Sequence, residues 1–133
     1  MKLQLRDILT ARMSVASLLQ LRFKPQDAPK GWWKLLYRLQ KISRKLEKEA
    51  EVFDQTRLAL VEATSEEPEE GKTRQVSKDK LPEFRAELEK VLEEEVDIDI
   101  QPIPAELFGD LDLAGQDWMN LLSLIEDIEK IEK

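Results

Sequence analysis

Lys34, Arg38, Lys41, Lys45 and Lys48 follow one another at intervals of four, three, four and three residues. That rhythm puts five cations on one face of an α-helix, with Arg44 beside them. A face of this kind can run along a phosphate backbone or meet an acidic protein surface. Trp33 and Tyr37 fall at its margin. Large aromatics in such a place either anchor a protein interface or pack beneath a neighbouring helix.

Negative charge gathers at the other end of the chain. Residues 1–50 hold 12 Lys+Arg and 4 Asp+Glu (+8), residues 51–80 hold 5 and 8 (−3), and residues 81–133 hold 4 and 16 (−12), which sums to the net −7. Three roles suit an acidic third of this density. It can solvate the protein, it can neutralise the basic stripe within the chain or across a dimer, or it can imitate DNA phosphates and occupy a nucleic-acid-binding protein. An isoelectric point near 4.8 opposes nucleic-acid binding by the stripe itself.

Reactive chemistry has few candidates here. The chain has no His and no Cys, which removes the usual general base near neutral pH, the commonest metal ligand and the thiolate nucleophile. Carboxylates, Lys and Tyr37 remain, but the acidic residues fall at solvent-facing helical positions and do not read as a pair framing a cleft. Asp97-Ile98-Asp99-Ile100-Gln101 begins like a calcium loop, yet Pro102 and Phe108 stand where that loop needs its Gly and its bidentate Glu. Neither glycine-rich phosphate-loop pattern occurs. The sequence therefore reads as a non-enzymatic protein with no catalytic residue, no metal and no cofactor.

The elements that must carry these residues follow from apolar spacing. Leu5, Ile8, Leu9, Val15, Leu19 and Phe23 predict a helix over about 3–23, ended by Pro25. Trp32, Leu39, Leu46, Phe53 and Leu60 recur every seven residues, with Leu35 and Ile42 in the second heptad position. They predict a long helix over about 28–63, with Asp27 as its cap and Pro29 in its first turn. Leu81, Phe84, Leu88 and Val91 predict a helix over about 80–95, with Asp79 as its cap. Val96 to Ile100 alternate strictly, predicting a strand over about 96–101 with Asp97 and Asp99 on its wet face. Thr73–Val76 is the candidate partner strand. Leu107, Phe108, Leu111 and Leu113 fasten a turn to the core. Trp118, Leu121, Ile125 and Ile128 predict a last helix over about 115–131. The expected fold is mainly α: a helical bundle in one domain over 1–133, with one long helix and a small two-stranded β element.

No apolar run reaches the ~18–20 residues a bilayer span needs. Arg6, Asp7, Arg12 and Arg22 are spread through the N-terminal stretch, unlike the charge clustering of a signal peptide. The expectation is a soluble protein without a membrane partner.

The order of short motifs carries a resemblance. A helical stretch with Phe53 and then Arg57-Leu58 leads into an acidic turn. Phe84, Glu87 and Leu88 follow on a helix, then Val96 and Ile98 on an acidic strand, Ile103 and Leu107, and a Leu-rich last helix with Leu124. Over about 35–130 this resembles a widespread group of small helical proteins encoded by tailed phages and prophages. The chain departs from the group's pattern in a more acidic turn at 64–72 and in Ala114-Gly115, where Ser-Pro is typical. The resemblance implies phage origin and an accessory role, and names no activity.

Together these readings predict a phage-encoded protein-interaction protein that acts in assembly or as a virion component through its long helix. Its contact residues are Trp33, Tyr37, Lys34, Arg38, Lys41, Lys45 and Lys48. The partner is a phage structural protein, a host protein or a second copy of the chain. The location is the host cytoplasm, or the virion for an assembled component. The alternative is an acidic inhibitor or DNA mimic directed at a host defence or transcription protein.

Overall fold

The computed structural model describes residues 1–65, 76–109 and 111–126. Its first element is a strand, β1 (Lys2–Gln4), where the sequence predicts helix. The reason lies 93 residues away. β1 pairs antiparallel with β2 (Glu95–Asp97), matching Lys2 to Asp97, Leu3 to Val96 and Gln4 to Glu95. The Met1 ammonium donates to the Ile98 carbonyl at 3.1 Å and lies 3.5 Å from the Asp97 carboxylate. The strand predicted over 96–101 thus pairs over 95–97, and its partner is the N-terminus, not Thr73–Val76. Its alternation holds: Ile98 and Ile100 are buried, while Asp97 and Asp99 face out. Of the proposed partner, residues 73–75 lie outside the described set, and Val76 forms an isolated bridge with Ser65.

Helix α1 (Leu5–Leu18) follows without a break and buries Leu5, Ile8, Ala11, Ser14, Val15 and Leu18. It stops five residues short of the predicted end. The Arg22 guanidinium turns back and donates to the Leu19 and Leu21 carbonyls, which satisfies oxygens left open near a helix terminus. Phe23 then meets Trp32 edge-on, ring centroids 5.0 Å apart.

Helix α2 (Trp32–Thr64) runs 33 residues, about 50 Å at 1.5 Å per residue. Its start is set by Gly31, whose φ of 82° is left-handed, and not by Asp27 and Pro29. A side chain there is strained, and glycine removes that cost. Trp32, Leu35, Leu39, Ile42, Leu46 and Ala50 are buried, so the heptad rows face the core up to residue 50. Beyond it, Phe53 and Leu60 are only half-buried and Leu58 is exposed.

A 3₁₀ turn (Lys78–Lys80) leads into α3 (Leu81–Leu92), which packs on the far half of α2. Asp79 makes no capping hydrogen bond, and Pro82 occupies the first turn, where a missing N–H is harmless. The helix ends three residues earlier than predicted because Glu95 is drawn into the sheet with β1. None of its residues is fully buried. Leu81, Phe84, Leu88 and Val91 recur along this helix, which packs on α2 and touches α1, and each is half-buried.

After β2 the chain passes through β3 (Ile103–Pro104) and a 3₁₀ turn (Ala105–Phe108) that seats Phe108 in the core. Leu111 is buried nearby, with Leu107 and Leu113 packed at the rim, as the turn's apolar residues predict. Helix α4 (Gly115–Leu121) is much shorter than predicted. It tightens into a 3₁₀ turn (Leu122–Leu124) and then β4 (Ile125–Glu126), which pairs parallel to β3 with Ile125 opposite Ile103. Burial of Leu124 and Ile125 in that arrangement replaces the amphipathic continuation that the spacing suggests. Residues 127–131 of the predicted last helix lie outside the described set.

The core sits where α1, the first half of α2, α4 and the β3/β4 pair meet. One polar cluster ties it. The Ser14 hydroxyl, almost fully buried, donates to the Asp117 carboxylate at 2.7 Å and accepts from the Asn120 amide at 3.0 Å. Buried hydroxyls need such partners, and here the need fixes α4 against α1. Among the described residues, no helix is long and apolar enough to cross a membrane.

Candidate protein-interaction surface

The inward rows of α2 leave its opposite side to solvent. Residues 34, 38, 41, 45 and 48 cluster about 140° from the row of Leu39 and Leu46, at 100° per residue. Trp33 and Tyr37 are 52 % and 63 % exposed. Both rings face out and neither is covered by α1, because Trp32 has taken the inward position and contacts Phe23.

A groove of about 600 Å³ runs along this face. One wall is α2, contributing Lys34, Tyr37, Arg38, Lys41 and Lys45. The other is the segment Asp99-Ile100-Gln101, which follows a tight turn at Asp99 and is held beside the helix because Ile98 and Ile100 are buried in the core. Ile42 and Ile100, both nearly buried, line its floor. The structure therefore gathers five of the seven predicted contact residues into one concave site. Trp33 lies outside the groove, at a smaller depression of about 190 Å³ that apolar residues such as Leu19, Phe23 and Leu36 share with Arg22 and Gln40. Lys48 is exposed and does not line the groove.

Charge within the groove is only partly answered. Lys45 donates to the Asp99 backbone carbonyl and to its carboxylate, the latter at 3.1 Å. The Asp99 side chain is 99 % exposed and that of Lys45 42 %, so solvent screens the contact, which positions the wall more than it stabilises the fold, contributing about 0–1 kcal/mol. Lys34, Arg38, Lys41 and Lys48 have no carboxylate partner among the described residues. The Lys41 ammonium stands 5.3 Å from the centroid of the Tyr37 ring, which holds ring and cation together at the groove's edge.

Sequence spacing identifies the cationic wall and misses the other one. Asp99, Ile100 and Gln101 lie more than fifty residues away in the chain. The alternation of 96–100 shows which of those residues are wet, but not which helix they line up against. The acidic third is likewise distributed by the fold. Glu89 pairs with Arg6, Glu95 with Lys2 at 3.9 Å, Glu87 with Lys90 at 3.0 Å, and Asp97 with the N-terminus. Comparison of the chain with protein-family models, with curated protein sequences and with solved structures gives no significant match.

Proposed function

We propose that the chain is a phage-encoded, non-enzymatic interaction protein that docks a protein partner on the outer face of α2, in phage assembly or as part of the virion. The observation that carries this reading is the pairing of two exposed aromatics, Trp33 and Tyr37, with a groove whose cations Lys34, Arg38 and Lys41 have no carboxylate partner among the described residues. Exposed Trp and Tyr supply apolar contact area at low entropic cost, and unpaired cations give orientation and a faster encounter. Phage origin rests on the motif order from Phe53 to Leu124.

The acidic-inhibitor reading has less support. A DNA mimic needs an uninterrupted array of carboxylates, and five acidic side chains between Glu87 and Asp99 lie within ion-pair distance of cations of the same chain.

Affinity capture tests the proposal. The full chain is used as bait in lysates of phage-infected and uninfected cells, beside the variant Trp33→Ala/Tyr37→Ala. A partner held by the wild type and lost by the variant supports docking on α2. Equal capture by both sinks the reading.

A further inference from the structure

We infer that the α2 groove binds an extended segment of the partner in which acidic and apolar residues alternate. The inference rests on the docking reading above and names the chemistry of what docks.

Three features of the groove select this ligand. The first is charge: Lys34, Arg38 and Lys41 line one wall without carboxylate partners among the described residues. The second is apolar surface: the Tyr37 ring in the groove lining is 63 % exposed, while Ile42 and Ile100 are almost fully buried, so a purely charged chain would leave the ring uncovered. The third is an internal example. Lys45 grips the tight turn at Asp99, closed by the Ile100 N–H on the Ile98 carbonyl at 2.9 Å, by taking the Asp99 main-chain carbonyl and the Asp99 carboxylate together. An acidic segment lying alongside would offer Lys41, Arg38 and Lys34 the same two kinds of acceptor, main-chain carbonyl and carboxylate.

Length agrees with this. From Lys34 to Lys45 the helix rises about 16 Å at 1.5 Å per residue, which matches about five residues of extended chain at 3.3 Å each. In such a chain, alternate side chains point to opposite sides, so acids can face the α2 cations while uncharged residues face the Asp99–Gln101 wall.

A nucleic acid fits less well. Asp99 forms part of the groove wall and Asp97 stands two residues before it, about 7 Å along an extended chain. A continuous phosphate backbone would pass both carboxylates within a Debye length of about 8–10 Å. A peptide can place its uncharged residues there.

The test is fluorescence anisotropy with the full chain and four labelled probes. These are a hexapeptide alternating Glu and Ile, one alternating Lys and Ile, a hexaglutamate and an oligothymidylate of eight nucleotides. The Glu/Ile peptide is expected to bind tightest. Its affinity should fall about tenfold in Lys34→Glu/Lys41→Glu, less in Lys34→Gln/Lys41→Gln, and should weaken as salt rises. Circular dichroism confirms that each variant is folded. Absence of Glu/Ile binding, tighter binding of the oligothymidylate or of the Lys/Ile peptide, or an unchanged affinity in both double variants overturns the inference. If the peptide fails while capture from infected lysate still depends on Trp33 and Tyr37, the choice of ligand is wrong and docking on α2 stands. If that capture is also indifferent to Trp33 and Tyr37, both readings fall.

Discussion

Lys45 in α2 and Asp99, 54 residues later in the chain, are joined twice: the ammonium takes both the main-chain carbonyl and the carboxylate of Asp99. The contact pins the turn after β2 against the helix and gives the basic face its second wall. It does so at the surface, with the Asp99 side chain 99 % exposed.

Because that pair is solvated, Lys45→Ala should change global stability by less than about 1 kcal/mol. Urea denaturation of both proteins at low and high salt measures this. The small difference should shrink further as salt screens the pair. A loss several times larger would mean that the groove wall is part of the folding core.

Ser14→Ala should be costly by comparison. It leaves the Asp117 carboxylate and the Asn120 amide without their shared hydroxyl at the α1–α4 contact. The expected loss is about 1–3 kcal/mol. Ser17→Ala, on the exposed side of the same helix, serves as the control and should stay within about 0.5 kcal/mol of the wild type.

Two glycines should respond oppositely to Ala. Gly31 is left-handed at the start of α2, so Gly31→Ala should destabilise by about 1–2 kcal/mol. Gly115 opens α4 with free space around it, and Gly115→Ala should leave stability unchanged or raise it by up to about 1 kcal/mol. Thermal denaturation of the two variants distinguishes a backbone requirement from a general intolerance of side chains.

The adjacent tryptophans also separate. Trp32 is 2 % exposed and touches Phe23, so Trp32→Ala should cost about 3–5 kcal/mol. Trp33→Ala should be nearly neutral for folding and should act only on partner capture. Chemical denaturation beside the capture assay measures both effects.

Hydrogen exchange should be uneven. α3 has no fully buried residue, whereas α1 buries six, and α3 rests on the half of α2 that lies beyond Ala50. Amides of α3 should therefore exchange through local opening well before those of α1, which are released only with the core. Equal protection of the two helices would contradict this division.

The sequence by itself determined the helices whose apolar residues recur in register. The rows Trp32/Leu39/Leu46 and Leu35/Ile42 say which side of α2 is buried, and the Lys34-to-Lys48 spacing says which side is cationic, because both follow from 3.6 residues per turn. It also determined that Ile98 and Ile100 are inside and Asp97 and Asp99 outside, since a strand alternates. The tertiary structure alone decided the partner of β2, the end of α1, the early end of α4 and the second wall of the groove. Strand pairing joins backbone groups distant in the chain and leaves no short-range periodicity. Leu124 and Ile125 have the same apolar character whether they continue a helix or turn into an edge beside Ile103. The basic face was therefore legible from local spacing, but its shape as a groove depended on which remote segment came to lie against it.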